Sequence, residues 1–460
     1  MKKNVLKRNI NALLAVFILL FAGLIAYLGF VVAVYGERWF VTPYNPRIQN
    51  MQTAIEAGDI YDRQGRALLY TTDDGREYIS NDERRQAVAH IIGDSHGMTY
   101  GAQTFYAKYL FGFDKNAVTR ISDLISGQER HGSDITLTID AKLSAAAKSA
   151  LGEYDGAAVV MNYQTGEILA SVSAPGFDPE DMEEFLEGGG ESELVNRAFT
   201  GLYPPGSTFK MITASALIAH GLDDFETHCA GSTMIGGEEI ACWDAHGETD
   251  LERAITKSCN VYFAEAAALL PPRELQTQAE KFLFNKELLF DDVIMSKSVY
   301  ETAGNDVDAA WAAIGQYHDL VTPLHMCMIA ASIANGGEMM TPKLLKSVDD
   351  GETQTFALSP EIAATPVDDT SLLQQMMRSC VTDGTGKAAA VDGVTVCGKT
   401  GTAEVAGEEE NAAHAWFVGY IADDDHPIAI AIVMERAGSG GGVAAPAAHD
   451  ILKKAVDLGY

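Results

Sequence analysis

Basic residues are scarce in this chain of 460 residues, which has 33 lysines and arginines against 64 aspartates and glutamates. The formal net charge is −31 at pH 7. Because this excess of carboxylates would repel a phosphate backbone, the composition excludes a nucleic-acid partner. Acidic runs such as 408–410 and 423–425 are better explained as solvated loops than as metal sites.

Cysteine is also scarce, with six residues in the chain. No spacing of cysteines and histidines resembles a zinc site, so we predict no bound metal, and we expect no cofactor. One pair, Cys229 and Cys242, brackets a glycine-bearing stretch that can fold back as a hairpin. An oxidising exterior would permit a disulfide between them, and the sequence leaves the bonded and the free forms equally open. The other four cysteines are expected to be buried thiols.

One long uncharged apolar run covers residues 10–34. At about 1.5 Å per residue, a helix of this length crosses a hydrocarbon core of roughly 30 Å. A cleaved signal peptide has a shorter apolar stretch of about 7–15 residues and a small-residue cleavage site, so we predict a transmembrane anchor at 10–34. Lysines and an arginine lie in residues 1–9. By the positive-inside rule this tail lies in the cytoplasm, and the rest of the chain lies outside a single-pass membrane anchor.

The remaining chain divides where its pattern changes. Residues 35–135 are polar and lack long periodic helices, which predicts a non-catalytic pedestal, and residues 136–460 form a second, larger domain. Two hairpins are predicted in that domain, with strands 157–161 and 167–173 early in it and strands 415–421 and 427–434 late in it. The sequence between them has helical character, and helices are predicted at 209–219, 261–269 and 323–334. This order predicts an α+β fold, in which a mostly antiparallel sheet flanked by helices is assembled from both ends and a helical insert lies between.

The run Tyr203-Pro204-Pro205-Gly206-Ser207-Thr208-Phe209-Lys210 carries the first sign of chemistry. If a helix follows Gly206, the i, i+3 spacing places Ser207 and Lys210 on one face, a single turn apart. A serine hydroxyl attacks a carbonyl usefully only when a base accepts its proton. Lys210 can be that base if burial or nearby positive charge lowers its pKa.

Two further motifs follow in order, Ser258-Cys259-Asn260 and Lys399-Thr400-Gly401-Thr402. Ser-x-x-Lys, Ser-x-Asn and Lys-Thr-Gly in this sequence are typical of penicillin-binding proteins and class A β-lactamases. From about residue 55 to the C-terminus the chain resembles a class B penicillin-binding protein, a membrane-anchored peptidoglycan D,D-transpeptidase. Flanking runs contribute to the likeness, among them Gly58-Asp59-Ile60-Tyr61-Asp62-Arg63, Ile314-Gly315-Gln316, Gly384-Thr385-Gly386 and Ala415-Trp416-Phe417-Val418-Gly419-Tyr420.

The resemblance implies a fold and a role for each motif residue. The fold is that of the penicilloyl-serine transferases, with a C-terminal helix that 447–458 would supply. Ser207 would attack the carbonyl between the last two D-alanines of a stem peptide, and Lys210 would accept its proton. Backbone N–H groups of Ser207 and Thr402 would form the oxyanion hole. The remaining roles also come from the family: Lys399 as a second positive charge, Ser258 as a proton shuttle, Asn260 as an amide to the donor peptide, and Thr400, Gly401 and Thr402 as the binding surface for its terminal carboxylate.

The implied reaction cross-links stem peptides through an acyl-enzyme, and β-lactams would inhibit it by acylating Ser207. Attack by water instead of an amine would make the enzyme a D,D-carboxypeptidase, and an inactive wall-peptide-binding scaffold is the alternative outside catalysis. A class A β-lactamase should carry an additional glutamate loop that is not found here. A β-lactam receptor should carry a cytoplasmic domain, for which residues 1–9 are too short. Since no polymerising segment lies between the anchor and Thr136, the resemblance implies a multi-spanning glycosyltransferase partner.

Overall fold

The computed structural model describes residues 2–39, 56–73, 75–113, 131–182, 190–271, 273–291, 293–301, 304–351, 353–357, 359–404 and 413–460. The α-helices of this part of the chain are α1 Lys2–Trp39, α2 Asp82–Ile92, α3 Ala102–Phe105, α4 Ala107–Leu110, α5 Ala141–Leu151, α6 Arg197–Thr200, α7 Lys210–Ala219, α8 Leu251–Lys257, α9 Asn260–Ala267, α10 Glu274–Lys281, α11 Asp306–Ala313, α12 Pro323–Ala334, α13 Ser371–Thr382 and α14 Ala445–Asp457. Short 3₁₀ segments occupy Glu191–Leu194, Gly206–Phe209 and Lys387–Ala389, and a π-helical turn occupies Gly440–Ala444.

The strands are short and mostly antiparallel. In chain order they are β1 Ile60–Tyr61, β2 Ala67–Thr72, β3 Gly75–Tyr78, β4 Asp134–Leu137, β5 Gly156–Asn162, β6 Ile168–Ala174, β7 Thr227–Cys229, β8 Ser232–Ile235, β9 Glu238–Ala241, β10 Gly247–Thr249, β11 Met339–Met340, β12 Leu345–Asp349, β13 Gln354–Phe356, β14 Ile362–Ala364, β15 Val396–Ala403, β16 His414–Ile421 and β17 Ile428–Met434. Besides the two large sheets, β7 pairs with β10, β8 with β9, and β11 with β14.

A five-stranded sheet with the order β15-β16-β17-β5-β6 forms the centre of the larger domain. Every neighbouring pair in it is antiparallel. Both predicted hairpins are present, and because β5–β6 and β15–β17 come from distant parts of the sequence, the sheet joins the two ends of the domain. The α+β prediction is confirmed.

Side chains of this sheet alternate between two apolar cores, as the two-residue period of a strand requires. Val159 packs in the core that contains helix α12, whereas Val160 packs with helices α5 and α14. The sheet is therefore buried on both faces, and β16 and β17 are buried along their whole length.

Predicted helices match the structure with small shifts at their ends. The predicted helix at 323–334 is α12, whose N-cap Thr322 accepts a hydrogen bond from the backbone N–H of His325 and whose first residue is Pro323. The predicted C-terminal helix at 447–458 is α14. The predicted helix at 209–219 starts earlier, because the 3₁₀ turn Gly206–Phe209 runs directly into α7.

A six-stranded sheet with the order β13-β12-β4-β1-β2-β3 lies in the pedestal region. The predicted boundary at residue 135 falls inside β4. Strands β12 and β13 come from far along the chain yet pair with β4 and with each other. The pedestal sheet therefore shares strands with the chain segment that follows it.

Helix α1 contains an apolar stretch, Asn9–Val31, with a mean hydropathy of 2.7 and no buried residue. It overlaps the predicted anchor at 10–34. Its large side chains, such as Leu19 and Ile25, are exposed. A helix of this length and composition suits a membrane anchor.

Candidate functional site

Three chain segments meet at one end of strand β15. They are the 3₁₀ turn Gly206–Phe209, the junction between α8 and α9, and β15 itself, which lies at the edge of the central sheet. The indole Nε1 of Trp416 on β16 donates a hydrogen bond of 3.1 Å to the carbonyl oxygen of Pro204. This bond fixes the chain just before the 3₁₀ turn against the sheet.

Two glycines allow the turn and the strand to approach closely. A Cβ on Gly401 would lie 2.9 Å from Thr208 Cγ2, and a Cβ on Gly206 would lie 2.6 Å from the carbonyl oxygen of Thr402. Gly206 also has φ of +54°, in the left-handed region that glycine tolerates best. A side chain at either position would push the turn away from the strand.

Ser207 and Lys210 lie on one face of this turn, because a 3₁₀ helix repeats every three residues. Ser207 is half-buried, whereas Lys210 is completely buried. Among the residues that the structure describes, Ser207 Oγ has no hydrogen-bond partner. Lys210 Nζ makes no hydrogen bond to it and lies 2.9 Å from Ser258 O, 3.3 Å from Ser258 Oγ and 2.6 Å from Asn260 Oδ1.

Ser258 lies between two lysines. Lys399 Nζ is 2.9 Å from Ser258 Oγ and also donates to the carbonyl oxygen of Thr400 at 2.9 Å. Ser258 ends helix α8 in a left-handed conformation, with φ 57° and ψ 45°, which is uncommon for a residue other than glycine. This backbone conformation turns the chain between α8 and α9 and places the serine hydroxyl within reach of both amines.

Both amines have lowered pKa values. Burial lowers the pKa of Lys210 well below its ordinary value, and the positive charge of Lys399 lowers it further. Burial also lowers the pKa of Lys399. Burial and the neighbouring charge therefore favour the neutral form of Lys210, which can act as a proton acceptor.

The predicted carboxylate-binding residues differ in exposure, since Thr400 and Gly401 are buried and Thr402 is exposed. Thr400 Oγ1 shares a hydrogen bond of 2.5 Å with Thr385 Oγ1. Thr402 is exposed, and its carbonyl oxygen accepts a hydrogen bond of 3.0 Å from Gln316 Nε2. Asn260 turns its amide nitrogen to the carbonyl oxygen of Ala241, at 2.9 Å.

Sequence reasoning gave no role to Thr385 and Gln316. The available signal was their position in the runs 384–386 and 314–316, which contributed to the family resemblance. Both lie on elements outside the three motifs, and their partners in β15 become visible only in the folded chain.

Backbone donors are available at the positions predicted for an oxyanion hole. Ser207 lies in the first turn of a helical segment, where N–H groups have no partner within the helix. Thr402 lies on an edge strand, in which alternate N–H groups point away from the neighbouring strand. The close approach at Gly206 brings these two backbones together.

Of the two forms that the sequence leaves open for Cys229 and Cys242, the structure has the free thiols. The predicted hairpin does form, as β8 and β9, and it returns the chain to the point where it started. There, however, the two sulfurs meet His246 and Cys259, and the ligand atoms of all four residues lie within 4.8 Å of one another. These four side chains form a group that could hold a metal ion, which the spacing of cysteines and histidines along the sequence does not indicate.

That cluster was missed because its members are spread over four separate elements. Cys229 ends β7, Cys242 follows β9, His246 precedes β10, and Cys259 is the N-cap of α9. Closely spaced cysteine pairs, which identify most zinc sites in a sequence, do not occur here.

Comparison with known proteins identifies relatives that cover most of this chain. Residues 156–453 match the family described as the penicillin binding protein transpeptidase domain. A relative from Mycolicibacterium smegmatis, named peptidoglycan D,D-transpeptidase PbpA, is 30% identical, and the alignment covers 88% of this chain and 90% of that protein.

Two solved structures are similar over nearly their full length. The D,D-transpeptidase domain of a peptidoglycan glycosyltransferase from Eggerthella lenta is 30% identical, with a TM-score of 0.75, covering 88% of this chain and 99% of that one. The penicillin G acyl-enzyme complex of penicillin-binding protein A from Mycobacterium tuberculosis is 25% identical, with a TM-score of 0.79, covering 87% of this chain and 100% of that one.

Proposed function

Because the chain belongs to the family of penicillin-binding protein transpeptidases, we propose that it cross-links peptidoglycan stem peptides through an acyl-enzyme on Ser207. It is a peptidoglycan D,D-transpeptidase of the class B type and a target of β-lactams. One observation carries the residue assignment. The amines of Lys210 and Lys399 both hydrogen-bond to Ser258 Oγ, beside the turn that contains Ser207.

The first step is attack by Ser207 on the carbonyl carbon between the two terminal D-alanines. A neutral Lys210 donates its two N–H groups to the oxygens at 2.9 Å and 2.6 Å, those of Ser258 O and Asn260 Oδ1. Its lone pair is then left to accept the hydroxyl proton of Ser207 across the face that the two side chains share. The N–H groups of Ser207 and Thr402 stabilise the oxyanion that develops.

The leaving D-alanine amine must receive a proton. Ser258 Oγ lies within hydrogen-bond distance of both lysine amines. It passes the proton from Lys210 to the leaving D-alanine amine, while the hydrogen bond from Lys399 holds the serine hydroxyl in position. The hydroxyls of Thr400 and Thr402 bind the terminal carboxylate, and Gly401 lets the strand backbone lie close to the peptide. Asn260 orients the donor peptide through its amide.

An acceptor-competition assay tests this function directly. The full chain in detergent is incubated with a D-Ala-D-Ala thioester analogue with and without a D-amino acid, and products are measured by mass spectrometry. We expect the thioester to be consumed and the aminolysis product to dominate when the acceptor is present. Hydrolysis alone in the presence of acceptor would identify a D,D-carboxypeptidase, and no consumption, together with no β-lactam adduct, would identify an inactive scaffold.

The cellular arrangement follows from helix α1. We place residues 1–9 in the cytoplasm, 10–34 across the membrane, the pedestal 35–135 outside, and the catalytic domain 136–460 beyond it. A multi-spanning glycosyltransferase would supply the glycan strands and would contact the anchor and pedestal. The partner is tested by purification from membranes, in which the glycosyltransferase should co-purify with this chain. The topology is tested by protease digestion of intact cells, which should cleave the pedestal and spare the N-terminal tail. Protection of the catalytic domain from the protease would contradict this topology and place that domain in the cytoplasm.

A further inference from the structure

We propose that this chain binds one Zn²⁺ ion next to the catalytic site, through three thiolates and one imidazole, those of Cys229, Cys242, Cys259 and His246. No step of the transpeptidase reaction uses these four side chains. Their sulfur and nitrogen atoms all lie within 4.8 Å of one another. Such a site is structural, because four protein ligands leave no open position for a substrate or water.

Measured distances agree with a tetrahedral zinc site. With Zn–S bonds of about 2.3 Å and Zn–N bonds of about 2.0–2.1 Å, a sulfur and a nitrogen ligand of one tetrahedron lie about 3.6 Å apart. His246 Nδ1 is 3.5 Å from Cys242 Sγ and 3.7 Å from Cys229 Sγ. The two separations from His246 Nδ1 therefore already match edges of the tetrahedron. Small rotations of the cysteine side chains would bring the remaining ligand atoms to the same spacing.

The surroundings of the sulfurs suit thiolates. The backbone N–H of Asn260 donates to Cys242 Sγ at 3.3 Å, and that of Tyr262 donates to Cys259 Sγ at 3.4 Å. Amide donors of this kind stabilise metal-bound thiolates and tune the metal centre. Binding of Zn²⁺ displaces the thiol protons into solvent, so three thiolates and the dication leave one net negative charge at the site.

His246 is held with its Nδ1 toward the sulfurs. Its ring is buried, and its Nε2 has no hydrogen-bond partner among the described residues. Its carbonyl oxygen accepts two hydrogen bonds from Arg253, at 3.2 Å and 2.9 Å, and the next residue, Gly247, pairs with Cys229 in the β7–β10 ladder. The backbone thus fixes the imidazole beside the cluster before any metal arrives.

The site connects directly to the catalytic residues. Cys259 is the middle residue of the Ser-x-Asn motif, so a metal bond to its sulfur holds the peptide between Ser258 and Asn260. It also holds the strained left-handed conformation of Ser258, whose hydroxyl contacts both lysines. We therefore assign the zinc a positioning role, because it links hairpin β8–β9 and strand β10 to the loop that presents Ser258.

Metal content of the full chain, purified in detergent without chelators, tests the site. We expect one zinc per chain by plasma mass spectrometry, and loss of that zinc in Cys229→Ser and in His246→Ala. Cys327→Ser is the matched control, since Cys327 is equally buried but packs against the central sheet, and it should keep the metal. Ser207→Ala should also keep it, which separates this proposal from the proposed catalytic function.

Cobalt(II) substitution of the wild-type chain avoids any folding defect of the variants. It should give the intense thiolate-to-cobalt charge-transfer and tetrahedral d–d bands of a three-sulfur site. Removal of zinc by a chelator should slow acylation by a fluorescent penicillin several-fold, with recovery on adding zinc. A disulfide among these cysteines in peptide maps, or zinc retained equally in the variants, would overturn the site, and unchanged acylation after zinc removal would overturn the positioning role.

Discussion

Ser207→Ala should eliminate covalent labelling of the full chain by a fluorescent penicillin. The substitution removes the only atom proposed to form the acyl bond and leaves the rest of the site in place. Loss of a catalytic nucleophile reduces turnover by a factor on the order of 10⁶, so labelling should fall below detection. The measurement is gel fluorescence after a fixed incubation, followed over several penicillin concentrations.

The control for this variant is Ser215→Ala on the same helix, α7. Ser215 is buried and its hydroxyl bonds to the carbonyl oxygen of Ile212 at 2.7 Å, away from the cleft. It should label like the wild type. Persistent labelling of Ser207→Ala at the wild-type rate would mean that a different residue is the nucleophile.

Lys210→Met should lower the acylation rate by about 10²–10⁴-fold, the contribution expected of a general base. Methionine has a similar length and suits the buried position, so the fold should be retained. Lys210→Arg should be similarly slow, because a guanidinium keeps a positive charge but cannot become a neutral base. Lys281→Met, on the exposed surface of α10, is the control and should leave the rate unchanged.

The pH dependence of wild-type acylation gives a second readout for Lys210. Because only the neutral amine accepts a proton, the rate should rise as pH increases through the lowered pKa of Lys210 and then level off. Burial and the charge of Lys399 place that midpoint well below 10.5, the ordinary value. A midpoint near 10.5, or a wild-type profile retained in Lys210→Met, would contradict the assignment of Lys210 as base.

Local patterns predicted most of the fold. The two hairpins at 157–173 and 415–434 could be recognised because alternating or continuous apolar runs flank short polar turns. Helix α12 was predicted with the bounds that the structure shows, and the structure gives it a sharp start, with Thr322 as the N-cap and Pro323 as the first residue. The pairing of β12 with β4 could not be predicted, because it joins strands from distant parts of the chain and neither strand carries a signal for its partner.

The site was predictable in its composition but not in its contacts. Three motifs indicated which residues would come together. Only the structure shows that the amine of Lys210 hydrogen-bonds to Ser258 and Asn260 rather than to Ser207. The hydrogen bond of Gln316 to β15 likewise depends on tertiary packing. The cysteine cluster shows the same limit, since hairpin formation was predicted correctly but the arrival of His246 and Cys259 at its base was not.

Peptide mapping of the β-lactam adduct tests the central claim most directly, namely that Ser207 is the nucleophile activated by a neutral lysine. The full chain is treated with benzylpenicillin, digested and sequenced by tandem mass spectrometry. We predict a single penicilloyl group, carried by Ser207. An adduct on any other residue, or an unmodified chain after prolonged exposure to a large excess of the drug, would contradict that claim.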